Sequence, residues 1–515
     1  MRRIRWGWVA VAAVPTIFIG YFFAYPVVRI LALGLSETSI GSTGLDARLL
    51  RVGWFTVWQA ALSTLLTVIV AAPITWAISN YEFRGRRLAT AFVTVPFVLP
   101  TVVVGTAFLS LGFDESLMAI LAAHVFFNVA VVVRTVSTLW ARIDPNLVES
   151  ARVLGATAWQ VFRKITLPLL RPAVAAAAAI VFLFTFTSFG VVLILGGFEY
   201  ATLEVEIYRQ AVTLFDLPLA AALAIIQLVG VTVALYLYSR YQDRRTVSWA
   251  IDSVDLPRPV GRTRLVVGLA VIPTLALLAA PLVALFVRSL TGSSYRTLLE
   301  TDRIVGSPGS AMRNSLLFAM AAMVIATTIG VMAAALITRR SGGLSRWFDL
   351  TLMLPLGTSA VTIGFGFIVA LGWPIDLRAS IWLVPIAHAL VAIPFVVRST
   401  VPTLRAIPSE LRESASVMGA SPGRVWREVD LPIVARAMAV GAAFAVVVSL
   451  GEFGATSFIA RPNTVTIPTM IFRLLGRPGE TSFGAAMALS VVLAVLVTTV
   501  VFWIDRANVG EIGRF

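Results

Sequence analysis

Side chains able to do covalent or metal chemistry are scarce in this chain of 515 residues, and their spacing argues against a catalytic site. There is no cysteine, there are two histidines, His124 and His388, and among 41 basic residues the one lysine is Lys164. A phosphate-cradling loop needs Gly-x-x-x-x-Gly-Lys followed by Ser or Thr, whereas Lys164 stands between Arg163 and Ile165. Thiolate nucleophiles and Cys/His metal sets are ruled out as well. The sequence therefore predicts no catalytic residue, no metal ligand and no cofactor held by this chain. Two kinds of candidate remain. One is a carboxylate inside an apolar run, Glu452 in Ser449-Leu-Gly-Glu-Phe-Gly454, because an ionisable group within a membrane span is a functional candidate by default. The other is a pair of polar loops that repeat one another.

The elements that must position these residues follow from composition. The chain is 58% hydrophobic and 13% charged, with a mean hydropathy of +0.90, whereas soluble domains are about 45–50% apolar and about 25% charged. A soluble enzyme, a disordered tail and a disulfide-stapled domain are excluded, leaving an all-α polytopic membrane protein. Runs of about 20 apolar residues mark twelve spans in two sets of six: Trp8–Val28, Val52–Asn80, Leu88–Gly112, Leu117–Trp140, Ala173–Gly196 and Pro218–Ser239, then Leu265–Val287, Ser315–Thr338, Phe348–Gly372, Ile381–Val401, Ala437–Ile459 and Phe483–Ile504. The basic start, Met1-Arg-Arg-Ile-Arg-Trp6, leads an apolar stretch without a small-x-small cleavage site, so it reads as an uncleaved first span. A net charge of +15 would suggest nucleic acid, but the charge is sided. With the N-terminus inside, 27 basic residues fall in cytoplasmic segments and 11 in outer ones, against 13 and 12 acidic residues. That asymmetry is the positive-inside pattern; it puts both termini in the cytoplasm and removes nucleic acid as a partner.

The two sets of spans are copies. At a constant offset of 264, His124 falls on His388, Arg134 on Arg398, Glu149 on Glu413, Gly155 on Gly419 and Phe189-Gly190 on Phe453-Gly454. The expected organisation is a first repeat over 1–240, a cytoplasmic linker over 241–264 and a second repeat over 265–515. An even number of spans makes the repeats parallel, with a pathway between them.

The longest cytoplasmic loop of each repeat reads Asp144-Pro-Asn-Leu-Val-Glu149-Ser150-Ala151-Arg-Val-Leu-Gly155, then Ile165-Thr-Leu167-Pro168, and Pro408-Ser-Glu-Leu-Arg-Glu413-Ser414-Ala415-Ser-Val-Met-Gly419, then Val429-Asp-Leu431-Pro432. Asp144 with Pro145 starts a short helix that stops at Gly155, and Thr157 or Ser421 caps a second one, expected to end before Leu-Pro. Each loop is thus a helix-turn-helix with small residues where another protein approaches.

These loops resemble the Glu-Ala-Ala…Gly…Ile-x-Leu-Pro signature of permease subunits of bacterial binding-protein-dependent ABC importers. Glu and Gly are six apart and the Ile or Val position follows ten later in both copies; Ser replaces the first Ala twice, and Val429 replaces Ile once. The resemblance implies a type I permease fold in the bacterial inner membrane. It also implies that Glu149–Gly155 and Glu413–Gly419 dock on an ATP-binding subunit, a homodimer that carries ATP and magnesium on a separate chain. An extracytoplasmic binding protein would deliver solute to outer loops near Phe198–Asp216 and Arg461–Phe483. Ala123-His-Val-Phe-Phe-Asn128, Thr187–Gly197, Thr202–Arg209 and Ser449–Gly454 resemble most the fused permeases of thiamine importers, with ferric iron permeases sharing the layout.

Ser188, Phe189 and Gly190, with Glu452, Phe453 and Gly454, are the pathway candidates. Glu452 has Ser188 as its mate, and its expected role is structural or gating rather than binding. His124 and His388 read as packing residues, and Arg134 and Arg398 as snorkelling anchors. Pro96, Pro100 and Pro355, with Gly105, Gly357, Gly364 and Gly366, offer a bend in the third span of each repeat. A secondary transporter would also have twelve spans, but it needs intramembrane carboxylates for coupling and leaves the loops unexplained.

Overall fold

The computed structural model describes residues 6–36, 47–113, 115–243, 256–292, 294–298, 306–339, 352, 354–355 and 358–508. The first repeat contains α1 (Ala12–Gly34), α2 (Ala47–Asn80), α3 (Arg86–Val98), α4 (Thr101–Ser110), α5 (Leu117–Trp140), α6 (Pro145–Val153), α7 (Ala158–Phe186), α8 (Gly190–Leu195), α9 (Leu203–Tyr208) and α10 (Leu217–Asp243). The second contains α11 (Arg262–Ser289), α12 (Pro308–Arg339), α13 (Ala360–Ala370), α14 (Leu383–Ala406), α15 (Ser409–Val417), α16 (Pro422–Gly451), α17 (Gly454–Ile459), α18 (Ile467–Leu475) and α19 (Glu480–Asn508).

Ten of these helices are long and apolar enough to cross a membrane, and the pair α3–α4, bent by 104°, makes an eleventh. The bend falls at Leu99-Pro100, where the backbone becomes extended. The ninth expected span, Phe348–Gly372, lies partly outside the described residues, as does Gly357; its described part is α13. Gly105 and Gly364 do not line the bend. A Cβ on Gly105 would lie 2.9 Å from Ile194 and one on Gly364 2.7 Å from the Ala455 backbone, so both serve close helix packing, against α8 and α17.

Two further expectations are corrected. The spans placed at Ala173–Gly196 and Ala437–Ile459 are displaced: α7 and α16 begin inside the polar loops, end at Phe186 and Gly451, and give way to the short helices α8 and α17. Hydropathy averages over the break because the residues beyond it are equally apolar. Nor does the second loop helix stop before Leu-Pro. Pro168 and Pro432 lack an N–H and would press on the carbonyl four residues back. The chain instead widens into a π turn at Phe162–Thr166 and Trp426–Asp430, where Leu167 and Leu431 donate to Phe162 O and Trp426 O. Tyr25-Pro26 uses the same device, with Gly20–Ala24 as the π turn.

Packing follows the repeat. α2, α5 and α7 form one three-helix core and α12, α14 and α16 the other, while each first helix crosses to the opposite repeat: α1 lies on α12, α13 and α14, and α11 lies on α2, α3 and α4. Lipid tails are as apolar as leucine, so small side chains rather than hydrophobic transfer bring such helices together. Fully buried Ala60, Ala71 and Ala77 on α2 and Ala322, Ala326 and Ala333 on α12 serve that purpose.

Candidate functional site

The polar loops fold alike. Asp144 Oδ1 accepts from the Asn146 N–H at 2.9 Å and Pro145 follows, which starts α6. Gly155 and Gly419 end α6 and α15 with φ of +84° and +86°. A Cβ at either would have nothing within 4 Å, so the left-handed backbone alone selects glycine, at about 1–2 kcal/mol for any other residue. A capping box joins Thr157 to Gln160, and Ser421 accepts from the Arg424 N–H at 3.4 Å.

Glu149, Ser150, Glu413 and Ser414 are exposed, and Ala151 and Ala415 half-buried. Leu167, Pro168, Leu431 and Pro432 stand past the π turns and belong to the junction with the long helices rather than to the loop surface. Beside the motif are apolar side chains that sequence reading missed. Val153 and Leu154 are 87% and 86% exposed, and their repeat mates Val417 and Met418 are 88% and 82% exposed. An apolar pair ahead of the terminating glycine, in both copies, was the available signal. The second loop carries one extra fastening. Arg412 Nε donates to the buried Asp430 Oδ1 at 2.7 Å and its Nη2 to Leu404 O at 3.1 Å, tying α15 to α14 and α16. Val148 and Thr166 occupy these places in the first repeat.

At the far ends of α7 and α16 the repeats meet. Phe189 and Phe453 stack with ring centroids 5.4 Å apart and planes at 26°. Tyr208 meets Phe189 edge-on at 5.4 Å and Phe458 at 5.5 Å, and Phe472 lies 5.5 Å from Phe453. Both stacked rings are buried, so the junction is closed. A Cβ on Gly190 would lie 2.5 Å from Thr101 Oγ1 and 3.2 Å from Phe453, so a larger residue there must displace Thr101, and one on Gly454 would lie 3.0 Å from Ala360, a tight contact.

Glu452 sits in the break after α16 rather than within a span. Its Oε1 accepts from the Ala455 N–H at 2.7 Å and its Oε2 from the Thr456 N–H at 3.0 Å and the Thr456 hydroxyl, with His388 Nε2 at 3.2 Å. The carboxylate caps α17 and thereby fixes Phe453, its chain neighbour. In the first repeat Ser188 Oγ pairs with His124 Nε2 at 2.9 Å, and His124 Nδ1 with Ser63 Oγ at 3.0 Å.

Besides Glu452 and Asp430, two carboxyls that the sequence does not mark as buried are enclosed, Glu204 and Glu206 at 0% and 2% exposure. Glu204 accepts from Gln227 Nε2 at 2.9 Å and, across the repeats, from Ser359 Oγ at 3.0 Å; Glu206 accepts from Gln210 Nε2 at 2.7 Å. They are buried because α9 and α18 fold inward. The Leu203 N–H is held by Thr56 Oγ1 at 2.9 Å and the Ile467 N–H by Ser315 Oγ at 2.8 Å. Of the outer segments Phe198–Asp216 and Arg461–Phe483, the edges are exposed, notably Phe198, Leu214, Phe215 and 461–463, and the centres are not. Next to the second edge, hydrogen bonds from Arg378 hold the Asp376 carboxyl down at about 2, and Arg461 Nη2 donates to Arg378 O at 3.2 Å.

Comparison with known proteins agrees with this repeated geometry. The family described as binding-protein-dependent transport system inner membrane component matches twice, at residues 63–248 and 326–510. The thiamine transport system permease protein of Brucella abortus strain 2308 is 30% identical over 93% of this chain and 92% of its own length. The protein of the same description from Escherichia coli K12 is 27% identical over 90% of each chain. A probable ABC transporter permease protein of Sinorhizobium fredii is 24% identical over 81% of this chain and 80% of its own.

Proposed function

The chain belongs to the family of binding-protein-dependent transport system inner membrane components, and from that premise we propose that it is the fused permease of an ATP-driven importer of thiamine. The observation that carries this reading is the pair of equivalent loop helices, α6 and α15, each ending in uncovered apolar side chains. In this account both loops and both termini lie in the cytoplasm. A homodimeric ATPase, which holds ATP and magnesium, covers Glu149–Gly155 with Leu154 and Glu413–Gly419 with Met418. A binding protein delivers its cargo to the exposed outer edges around Phe215 and 461–463.

The geometry supplies a mechanical link. α7 runs 29 residues and α16 runs 30, each continuing through its π turn, about 43–45 Å at 1.5 Å per residue, from the loops to the Phe189–Phe453 stack. Closure of the ATPase draws α6 and α15 together, and the long helices carry that movement to the aromatic junction, which parts. Each ligand shifts this balance only by its preference for one state. Thiamine, an aromatic cation, suits a junction of Phe189, Phe453 and Tyr208 faces, where stacking and cation–π attraction act together. Ser188 and Glu452 position the rings, Gly190 leaves room for Phe453, and Gly454 lets its helix pack closely on Ala360. The relatives' names favour thiamine over ferric iron. The buried Glu204 and Glu206 leave an ion-coupled carrier as the competing class.

Reconstitution with the ATPase and binding protein tests the reading. Radiolabelled thiamine uptake that requires both partners and ATP is expected. Uptake driven by an ion gradient without ATP, or uptake of ferric iron in place of thiamine, would overturn it.

A further inference from the structure

We propose that a groove between α3 and α11 binds one anionic phospholipid and thereby joins the two repeats. The groove has a volume of about 1060 Å³ and combines two chemistries. One end carries Arg84, Arg258 and Arg264, all exposed and none with an ion-pair partner among the described residues. Glu82 also lines this end, but it is engaged by Arg86 Nη1 at 2.9 Å, so the excess charge is positive. The rest of the wall is apolar, with Leu88, Phe92, Val271, Ile272 and Leu275.

From Arg264 to Leu275 α11 rises about 16 Å, close to half of a hydrocarbon core of about 30 Å. The depth below the arginines is that of one leaflet. Leu88 and Ile272 are 77% and 67% exposed beside the groove, on a perimeter that a soluble anion would leave bare and an acyl chain would cover. A basic pocket between membrane helices at the surface of a bilayer is a headgroup site. Assignment to the cytoplasmic leaflet rests on the orientation proposed above, whereas binding itself does not.

The position gives the lipid a structural consequence. Arg84 belongs to the first repeat, Arg258 to the linker and Arg264 to the helix that crosses from the second repeat. The Glu82 N–H donates to Pro257 O at 3.1 Å, so the linker is already fastened at this spot. A phosphate bound by the three arginines holds α11 against α3.

The test uses the full chain in phosphatidylcholine nanodiscs, titrated with phosphatidylglycerol and read by native mass spectrometry and thermal unfolding. One tightly retained phosphatidylglycerol and a raised unfolding temperature are expected. The triple variant Arg84→Gln, Arg258→Gln, Arg264→Gln should bind it at least tenfold more weakly, while Arg288→Gln with Arg313→Gln should not. Retention by the triple variant equal to that of the control would overturn the proposal. On the unaltered chain, equal protection by inorganic phosphate or by glycerophosphoglycerol would show a soluble-anion site instead, and equal retention of phosphatidylcholine would show an unspecific groove; both refute it without any variant.

Discussion

Replacing Leu154 and Met418 together by serine isolates the surface on which coupling depends. The two side chains are 86% and 82% exposed, so almost all of their apolar area is free to be covered by a second protein. Burying a leucine or methionine side chain stabilises by about 1.5–3 kcal/mol. Two such losses amount to about 3–6 kcal/mol gross, of which association realises only a part. A net loss of about 3 kcal/mol corresponds to roughly a hundredfold weaker binding of the ATPase. Since neither side chain is packed within this chain, its own thermal unfolding should move by no more than about 0.5 kcal/mol. The assay is binding of the purified ATPase to the permease in nanodiscs, beside unfolding of the permease alone. Undiminished binding, or a permease that unfolds much earlier, would refute the assignment of these residues to a covered interface.

Other perturbations separate the remaining roles. Arg412→Ala removes one charge-assisted hydrogen bond from the buried Asp430 and the tie to Leu404 O, and because the arginine side chain is itself 26% exposed the loss should be about 2–4 kcal/mol rather than the full value of a buried pair; calorimetry that finds no change would show that α15 is held by other contacts. Gly155→Ala and Gly419→Ala should each cost about 1–2 kcal/mol through backbone strain and reduce uptake, whereas Gly53→Ala, which has open space and an ordinary helical backbone, should stabilise by about 0.5–1 kcal/mol; losses of equal size at all three would contradict the φ argument. Glu452→Gln cannot accept all the hydrogen bonds that cap α17, so it should lower the unfolding temperature at a cost of about 1–3 kcal/mol with the KM for thiamine unchanged; a shift in KM without loss of stability would make the carboxylate a substrate ligand.

Much of this organisation was legible in the residues, for physical reasons. The offset of 264 between His124 and His388 survives because polar residues in apolar surroundings match only by descent, and the loop helices are written in their caps, Asp144, Thr157 and Ser421, and in their glycine ends. The breaks after Phe186 and Gly451 were hidden because Thr187 and Glu452 are flanked by residues as apolar as a helix interior. Burial of Glu204 and Glu206 was equally hidden. A carboxyl on a short amphipathic stretch looks solvated until Gln227 and Ser359, 23 and 155 residues away, are brought to it by the fold. The apolar pairs Val153-Leu154 and Val417-Met418 blended into a hydrophobic chain, and only their exposure distinguishes them.

The central claim is that the loop helices control the Phe189–Phe453 junction through α7 and α16. The chain contains no cysteine, so Phe189→Cys with Phe453→Cys introduces the only two thiols. In the assembled transporter without nucleotide, a short thiol-reactive crosslinker should join them, because the rings they replace stand 5.4 Å apart. With ATP bound and hydrolysis blocked, crosslinking should fall sharply, and the Leu154→Ser, Met418→Ser background should abolish that fall. Crosslinking that is indifferent to nucleotide would contradict the account.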